Sequence, residues 1–346
     1  GPGMDAFAES PEWGGSLVIF PFMYYETYGD DSLIKKYYPN MRRYVDYLKT
    51  RADTGILSFG LGDWYDYGDF RAGFSRNTPV PLVATAHYYM TVMYLVQAAK
   101  MVGNDFDIRY YTSLAQEIMV AFNKCFLHKD TAQYGTGSQC SNALPLFLQM
   151  TQDADEQDNY RPDADLNEKV FANLIKDVEA HGNRLTTGDV GNRYLIQTLA
   201  RNGEHELIYK MFNHEEAPGY GFQLKFGATT LTEQWDPRQG SSWNHFMMGQ
   251  IDEWFFNSLV GIRPSTTPKQ GYQKFIIAPQ PVGDLKYVKA SYETLYGTIN
   301  VDWTCENGTF TLNVSVPVNT TAVVYLPGEK EPKEIQSGTY QLVCAK

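Results

Sequence analysis

The sequence is most informative first for what it has little of. Only four cysteines occur in 346 residues, Cys125, Cys140, Cys305 and Cys344, and none are in C-x-x-C spacing. That excludes a thiolate zinc site and a dense disulfide frame, and free thiols are expected. Positive charge is also scarce: 29 Lys and Arg against 40 Asp and Glu give a net charge of −11. Such a chain has little with which to neutralise phosphate, so nucleic acid and anionic membrane surfaces are not expected as partners. No apolar run approaches the roughly 20 residues needed to cross a bilayer. There is no G-x-S-x-G, no phosphate-binding loop and no H-E-x-x-H, which removes the commonest hydrolase, nucleotide and metalloprotease signatures. The opening Gly1-Pro2-Gly3-Met4 has neither the basic nor the apolar region of a signal peptide. The expectation is a soluble protein, placed in the periplasm or outside the cell rather than in the cytoplasm.

Aromatic side chains, by contrast, are plentiful, at 14% of the chain with 25 tyrosines. Tyr and Trp offer a flat apolar face and a polar tip, which suits a cleft that stacks sugar rings. A chain of this length can bury a large core, and one large plus one small domain is expected.

Apolar residues at spacings of three and four predict helices over 14–28, 31–51, 81–102, 105–127, 142–150, 166–181, 190–201 and 204–214. In 31–51 the expected stripe is Leu33, Tyr37, Tyr44, Val45 and Leu48, with a kink or break at Pro39. Residues 55–77, rich in Gly and aromatics, form a long loop of the kind that carries function. The acidic stretch 151–165 reads as a solvated loop. A last helix is expected over 241–260, capped by Ser241 or Ser242, with Trp243, Phe246, Met247, Ile251, Trp254, Phe255 and Leu259 on one face. Strongly apolar helices alternate with amphipathic ones and no strand is evident, so residues 1–262 form an α/α domain, a two-layer ring with buried inner helices.

After Arg263-Pro264-Ser-Thr-Thr-Pro268 the period changes to two. Ile299, Val301 and Trp303 share one strand face, and Phe310, Leu312, Val314 and Val316 share the next, with Glu306-Asn307-Gly308 as the turn. Residues 263–346 are thus a small antiparallel β domain.

Three segments combine acids with tryptophan: Glu12-Trp13, Asp63-Trp64-Tyr65-Asp66 and Glu233-Gln234-Trp235-Asp236. Each lies in or beside a loop, and such loops gather at one mouth of a helical ring. Glycoside cleavage needs two carboxyl groups there, one to protonate the leaving oxygen and one to drive attack by water. His245 follows Glu233 closely. The simpler alternatives are that Glu12 and Asp63 cap helices. The spacing of Asp63, Asp66 and Asp69 fits a cation, but a solvated loop is the better reading, and neither a metal nor a cofactor is expected.

Taken in order, Ser10-Pro-Glu-Trp-Gly14, Gly62-Asp-Trp64, Leu82-Val-Ala-Thr-Ala86, Leu185-Thr-Thr-Gly188, Gly227-Ala-Thr-Thr230, Glu233-Gln-Trp-Asp236, Asn244-His245 and Asp252-Glu-Trp254 closing at Gly261-Ile262 form a specific set. The chain resembles the catalytic region of bacterial α-L-rhamnosidases, glycoside hydrolase family 78, over nearly its whole length. The resemblance implies an (α/α)6 barrel followed by a C-terminal β-sandwich. It implies inverting hydrolysis of terminal α-L-rhamnosides with no metal in the chemistry. By position, Glu233 matches the general base. His245 and Trp235 match substrate contacts, and Asp63 and Trp64 match a loop lining the sugar subsite, with Trp13 expected beside the sugar. The sequence departs from the family pattern at Gln234, where Arg is frequent, and it lacks the D-x-P-x-R-x-E-R-like motif of the general acid. The acid and the first helices of the barrel are accordingly expected upstream of Gly1, leaving this chain nearly inactive alone. Two alternatives stay open: a non-catalytic carbohydrate-binding protein on a degenerate barrel, and a different (α/α)-barrel glycosidase or lyase.

Overall fold

The computed structural model describes residues 5–154, 160–265 and 268–345. The chain divides into two compact units. The first comprises residues 1–20, 34–202 and 210–249, and the second comprises 21–33, 203–209 and 250–346.

The first unit is helical. Helix Val80–Val102 is buried without a break from Leu82 to Val92. An interior helix of an α/α layer should look like this, because it has no face to give to water. Gly103 ends it at φ +76°, a left-handed turn that glycine adopts at little cost. Asn104 then caps the next helix, Asp105–Phe126, by accepting from Asp107 N at 3.1 Å. That helix buries Tyr111, Leu114, Ile118, Phe122 and Phe126 and leaves its other side wet.

Helix Ser32–Arg51 runs through Pro39 without a break, unlike the expected kink. Its buried stripe is Ile34, Tyr38, Met41, Val45 and Leu48, and Tyr37 is exposed. The stripe read from sequence thus lay one residue off at its start. Helices Gln139–Phe147, Ala164–Ala180 and Gly191–Arg201 complete the larger elements, and a short helix, Tyr220–Lys225, was not anticipated. His87 ties two of these helices together, its ring bonded to Val83 O at 2.8 Å and to Tyr194 Oη at 3.0 Å. Burial lowers its pKa to about 4, so it is a neutral core residue.

Two small hairpins interrupt the helices: β1 (Leu127–His128) with β2 (Gln133–Tyr134), and β3 (Gln152–Ala154) with β4 (Tyr160–Pro162). The second corrects the reading of 151–165 as loop, apart from 155–159, which lie outside the described residues. Short polar strands of two or three residues leave no period to detect.

The second unit holds strands β5 (Ile262–Pro264), β6 (Lys274–Ile277), β7 (Tyr287–Thr294), β8 (Gly297–Glu306), β9 (Thr309–Val316), β10 (Thr321–Val324), β11 (Lys333–Ile335) and β12 (Gly338–Ala345). They form two four-stranded sheets, ordered β11-β10-β6-β5 and β12-β9-β8-β7. Ile299, Val301, Trp303, Phe310, Leu312 and Val314 of one sheet share a buried cluster with Phe275, Ile277, Ala322 and Val324 of the other. Asn307 (φ +51°) and Gly308 (φ +75°) make the two-residue turn read from sequence. One pairing differs from the expected antiparallel domain: β6 and β10 run parallel. That contact joins segments nearly fifty residues apart, and alternation within a strand carries no information about its neighbour's direction.

Candidate active site

The site is built where three loops of the first unit meet. The first is 230–245, and it is a hairpin, not the start of a helix. Glu233 N donates to Ser242 O at 2.9 Å, His245 N to Leu231 O at 2.9 Å, and Thr230 Oγ1 to Trp243 O. Asp236 turns the chain, accepting from Arg238 N at 3.0 Å and from its guanidinium at 2.9 and 2.8 Å. The Arg238 guanidinium beside Asp236 holds that carboxyl below its ordinary range. Gly240 at φ +74° completes the reversal. Ser241 Oγ accepts from the Gln234 side chain at 2.9 Å and Ser242 Oγ from Asn244 N at 3.2 Å, and no helix starts at either, so the expected serine cap does not form. Helical structure begins only at Phe246, as a 3-10 turn over Phe246–Gln250, then Ile251–Trp254, then a π segment over Phe255–Val260. Phe246, placed on the apolar face by sequence, is 84% exposed.

The hairpin brings Glu233 and His245 onto neighbouring arms. Glu233 is half-buried, and its Oε2 accepts from Ser242 N at 3.1 Å. The His245 ring is also half-buried and lies parallel to Phe246, centroids 6.3 Å apart.

The second loop carries Asp63, Trp64, Tyr65 and Asp66. Trp64 is half-buried and packs edge-on against Phe7 (5.6 Å), Phe74 (5.1 Å) and Tyr65 (4.8 Å). Asp63 is fully buried, with Oδ1 accepting from Gly191 N at 2.6 Å. Its carboxyl is thus enclosed by protein groups in this structure. Burial, reinforced by Asp66, raises its pKa to about 7. Asp66 is buried too and accepts from Arg76 N (2.7 Å) and Asn77 N (2.6 Å). Burial brings it to about 6. Asp66 folds the 63–77 loop on itself and Asp63 ties it to Gly191, and the solvated reading of the loop is wrong for both. Among the described residues no cluster suited to a metal ion is found.

The third loop, Arg184–Gly191, links the other two. Asp189 N donates to Trp64 O at 2.7 Å, Tyr67 N donates to Thr186 O at 3.0 Å, and Thr187 O accepts the indole N–H of Trp235 at 2.9 Å. Gly188 must be glycine: a Cβ there would sit 2.1 Å from Trp64 O. Trp235 is 1% exposed, with Tyr220 packed edge-on at 5.3 Å. In this structure it is packed as a core strut. Its place in the motif is explained by the segment it anchors, two residues from Glu233.

Asp189 was missed from sequence, where the motif noted at Leu185–Gly188 ends one residue short of it. Its side chain is 2% exposed, and burial, with the fields of Asp63 and Glu233, pushes its carboxyl well above the ordinary range. A carboxylate flanked by two glycines, Gly188 and Gly191, was the available signal. Trp13 lies in the short helix Pro11–Gly14 and is half-buried. Its neighbour Glu12 accepts from Ser10 Oγ and from Gly62 N (3.1 Å), and burial raises it to about 7. Asp63, Asp66 and Asp189 are buried where Glu233 is half-exposed, and Asp189 feels its field.

The family model of the bacterial alpha-L-rhamnosidase 6 hairpin glycosidase domain matches residues 1–259. The chain belongs to this family. The model of the bacterial alpha-L-rhamnosidase C-terminal domain matches residues 261–341. An alpha-L-rhamnosidase of Streptomyces avermitilis is 29% identical over 335 residues, covering 94% of this chain and 30% of its own length. One from Formosa agariphila is 29% identical over 344 residues, covering 95% of this chain and 35% of its own. The chain thus spans about a third of the length of these relatives. Among solved structures, the alpha-L-rhamnosidase of Dictyoglumus thermophilum superposes with a TM-score of 0.85 at 30% identity, over 97% of this chain and 40% of that one. The Streptomyces avermitilis enzyme complexed with L-rhamnose superposes with a TM-score of 0.83 at 25% identity, over 96% and 33%. Among the described residues no helix is long and apolar enough to cross a membrane.

Proposed function

We propose that this chain is the catalytic region of an inverting α-L-rhamnosidase in which Glu233 is the general base. The observation that carries the reading is the placement of Glu233. It is half-buried, its carboxylate is fixed by Ser242 N, and it sits on the hairpin arm opposite His245 in a rhamnosidase-family fold. A base must be ionised and reach a water, and the other strongly placed carboxyls, Asp63 and Asp189, are buried and proton-avid. Trp64, with Phe7 and Phe74 at its edges, is the aromatic wall assigned to the sugar, and His245 the polar contact. The substrate class is a terminal α-L-rhamnoside of a glycan or glycoside. Likeness to an enzyme complexed with L-rhamnose supports this assignment. The fold is assigned as an (α/α)6 barrel over 1–262 followed by a β-sandwich over 263–346. The reading assigns no general acid among the described residues, because the acid motif of the family is absent from the sequence and Glu12 is engaged by Ser10 and Gly62.

The test is Glu233→Gln in the complete natural protein, assayed on an aryl α-L-rhamnoside. Removing a general base costs about 10²–10⁴-fold in rate. The expected result is a loss of that size with L-rhamnose binding retained by calorimetry, and β-L-rhamnose as the first anomer released by the unmodified protein. A loss smaller than tenfold refutes the role of Glu233.

A further inference from the structure

The Glu12 carboxyl is spent on a segment fifty residues away. Its Oε1 accepts from Gly62 N at 3.1 Å, and its Oε2 accepts from Ser10 Oγ. Ser10 Oγ in turn accepts from Leu61 N at 3.0 Å. Gly60 completes the contact: a Cβ there would lie 2.7 Å from Glu12 Oε2, so the backbone passes directly against the carboxyl. Three successive residues, Gly60, Leu61 and Gly62, thus rest on one side chain and its serine partner. The arrangement is not a helix cap, because Ser10 precedes the Pro11–Gly14 helix without a side-chain cap bond.

Both ends of this bracket lead to a tryptophan. Glu12 adjoins Trp13, whose N–H donates to Ser10 O at 3.0 Å. Gly62 lies two residues before Trp64, and its carbonyl accepts from Trp64 N at 2.9 Å. The path from one indole to the other therefore runs Trp13, Glu12, Gly62, Trp64, through two hydrogen bonds. Both tryptophans are half-buried, so each keeps surface open. Burial that opposes the charge of a carboxyl, as it does at Glu12, recurs at functional sites.

Resting on the reading of this region as the rhamnoside site, we propose that Glu12 is a positioning residue: its carboxyl locks the Trp13 helix to the Gly60–Gly62 segment and so sets the spacing of two indoles that grip one sugar. Glu12 itself does not touch the sugar. Two rings hold a pyranose well only at a fixed gap, because a contact opened by roughly 0.5–1 Å forfeits a quarter to a half of its attraction. The grip acts on substrate and transition state alike, so its loss raises KM and leaves kcat.

The test is Glu12→Ala in the complete natural protein, with Glu12→Gln as the conservative variant. The glutamine keeps an oxygen for Gly62 N and offers an N–H to Ser10 Oγ. L-rhamnose affinity is measured by calorimetry, and kcat and KM on an aryl α-L-rhamnoside. For Glu12→Ala the expected result is a rise of about tenfold in Kd and KM, the value of one hydrogen bond of this kind. Its kcat should stay within about threefold, and Glu12→Gln should restore both constants. Tyr38→Phe, which deletes the buried bond to Asp107, is the control: it should lower the melting temperature and move neither constant. If Glu12→Ala does not fold, Ser10→Ala cuts the Leu61 arm alone and should weaken binding in the same direction. Unchanged Kd and KM in the variant that folds, or a Gln variant no better than Ala, overturns the role of Glu12 and leaves the rhamnoside reading standing. An unmodified protein that neither hydrolyses the rhamnoside nor binds L-rhamnose overturns both.

Discussion

The indole N–H of Trp235 donates to the carbonyl oxygen of Thr187 at 2.9 Å, with the ring almost wholly buried. This one bond joins the hairpin bearing Glu233 to the segment that holds the Asp63–Asp66 loop. A buried carbonyl that loses its donor keeps the desolvation penalty, about 1–3 kcal/mol.

Trp235→Phe should therefore lower unfolding free energy by about that amount. It should also lower kcat, because the Glu233 segment is no longer tied to its neighbour. Urea denaturation checks the first, and turnover of an aryl rhamnoside at saturating substrate checks the second. A variant of unchanged stability would mean that the bond contributes nothing net.

Gly188→Ala places a methyl group 2.1 Å from Trp64 O and close to Asp66 N, both backbone atoms with no rotamer to escape through. Overpacking of this kind costs about 1–3 kcal/mol, and more where backbone must move. A lower melting temperature together with weaker L-rhamnose binding is expected, since Trp64 must shift. Gly203→Ala, where a Cβ meets nothing within 4 Å but φ is +83°, is the control for strain alone.

The pH dependence follows from the buried carboxyls. Asp63 and Glu12 are raised to about 7 and Asp66 to about 6, against ordinary values of 3.8 for Asp and 4.5 for Glu. Their folded-state pKa lies above the unfolded one, so between about pH 4 and 7 the folded state binds more protons. Stability then falls as pH rises through this window. The three groups contribute most to stability below their unfolded pKa values and lose that contribution by about pH 7. Asp63→Asn should flatten the decline, measured as melting temperature from pH 4.5 to 8. An identical slope in the variant would show that Asp63 does not titrate in this window.

Much of the scaffold was readable because its elements are long and periodic. Helix Val80–Val102 and the β8–β9 hairpin each repeat one signal many times. The hairpin at 230–245 was not, because Trp243, Phe246 and Met247 imitate helical spacing while the deciding bonds run from Ser242 and His245 to Glu233 and Leu231, nine and fourteen residues back. Glu233 and its proximity to His245 were visible as a local cluster. The burial of Asp63 was not, since its partner Gly191 lies 128 residues away. The fate of Trp235 was hidden for the same reason: sequence shows that an indole is present but not which surface it meets.

The ladder beneath the tip of the 230–245 hairpin separates two kinds of evolutionary freedom. Arg238, Gln239 and Gly240 lie outside the rungs at Glu233–Ser242 and Leu231–His245 and are open to solvent. Length changes there can remodel the exposed tip while Glu233 keeps its place in the ladder. A single residue gained or lost between Ser242 and His245 would instead slip the register and swing the imidazole to the opposite side. Relatives that differ in which glycosides they accept are therefore expected to vary at the tip and agree in the spacing of the rungs.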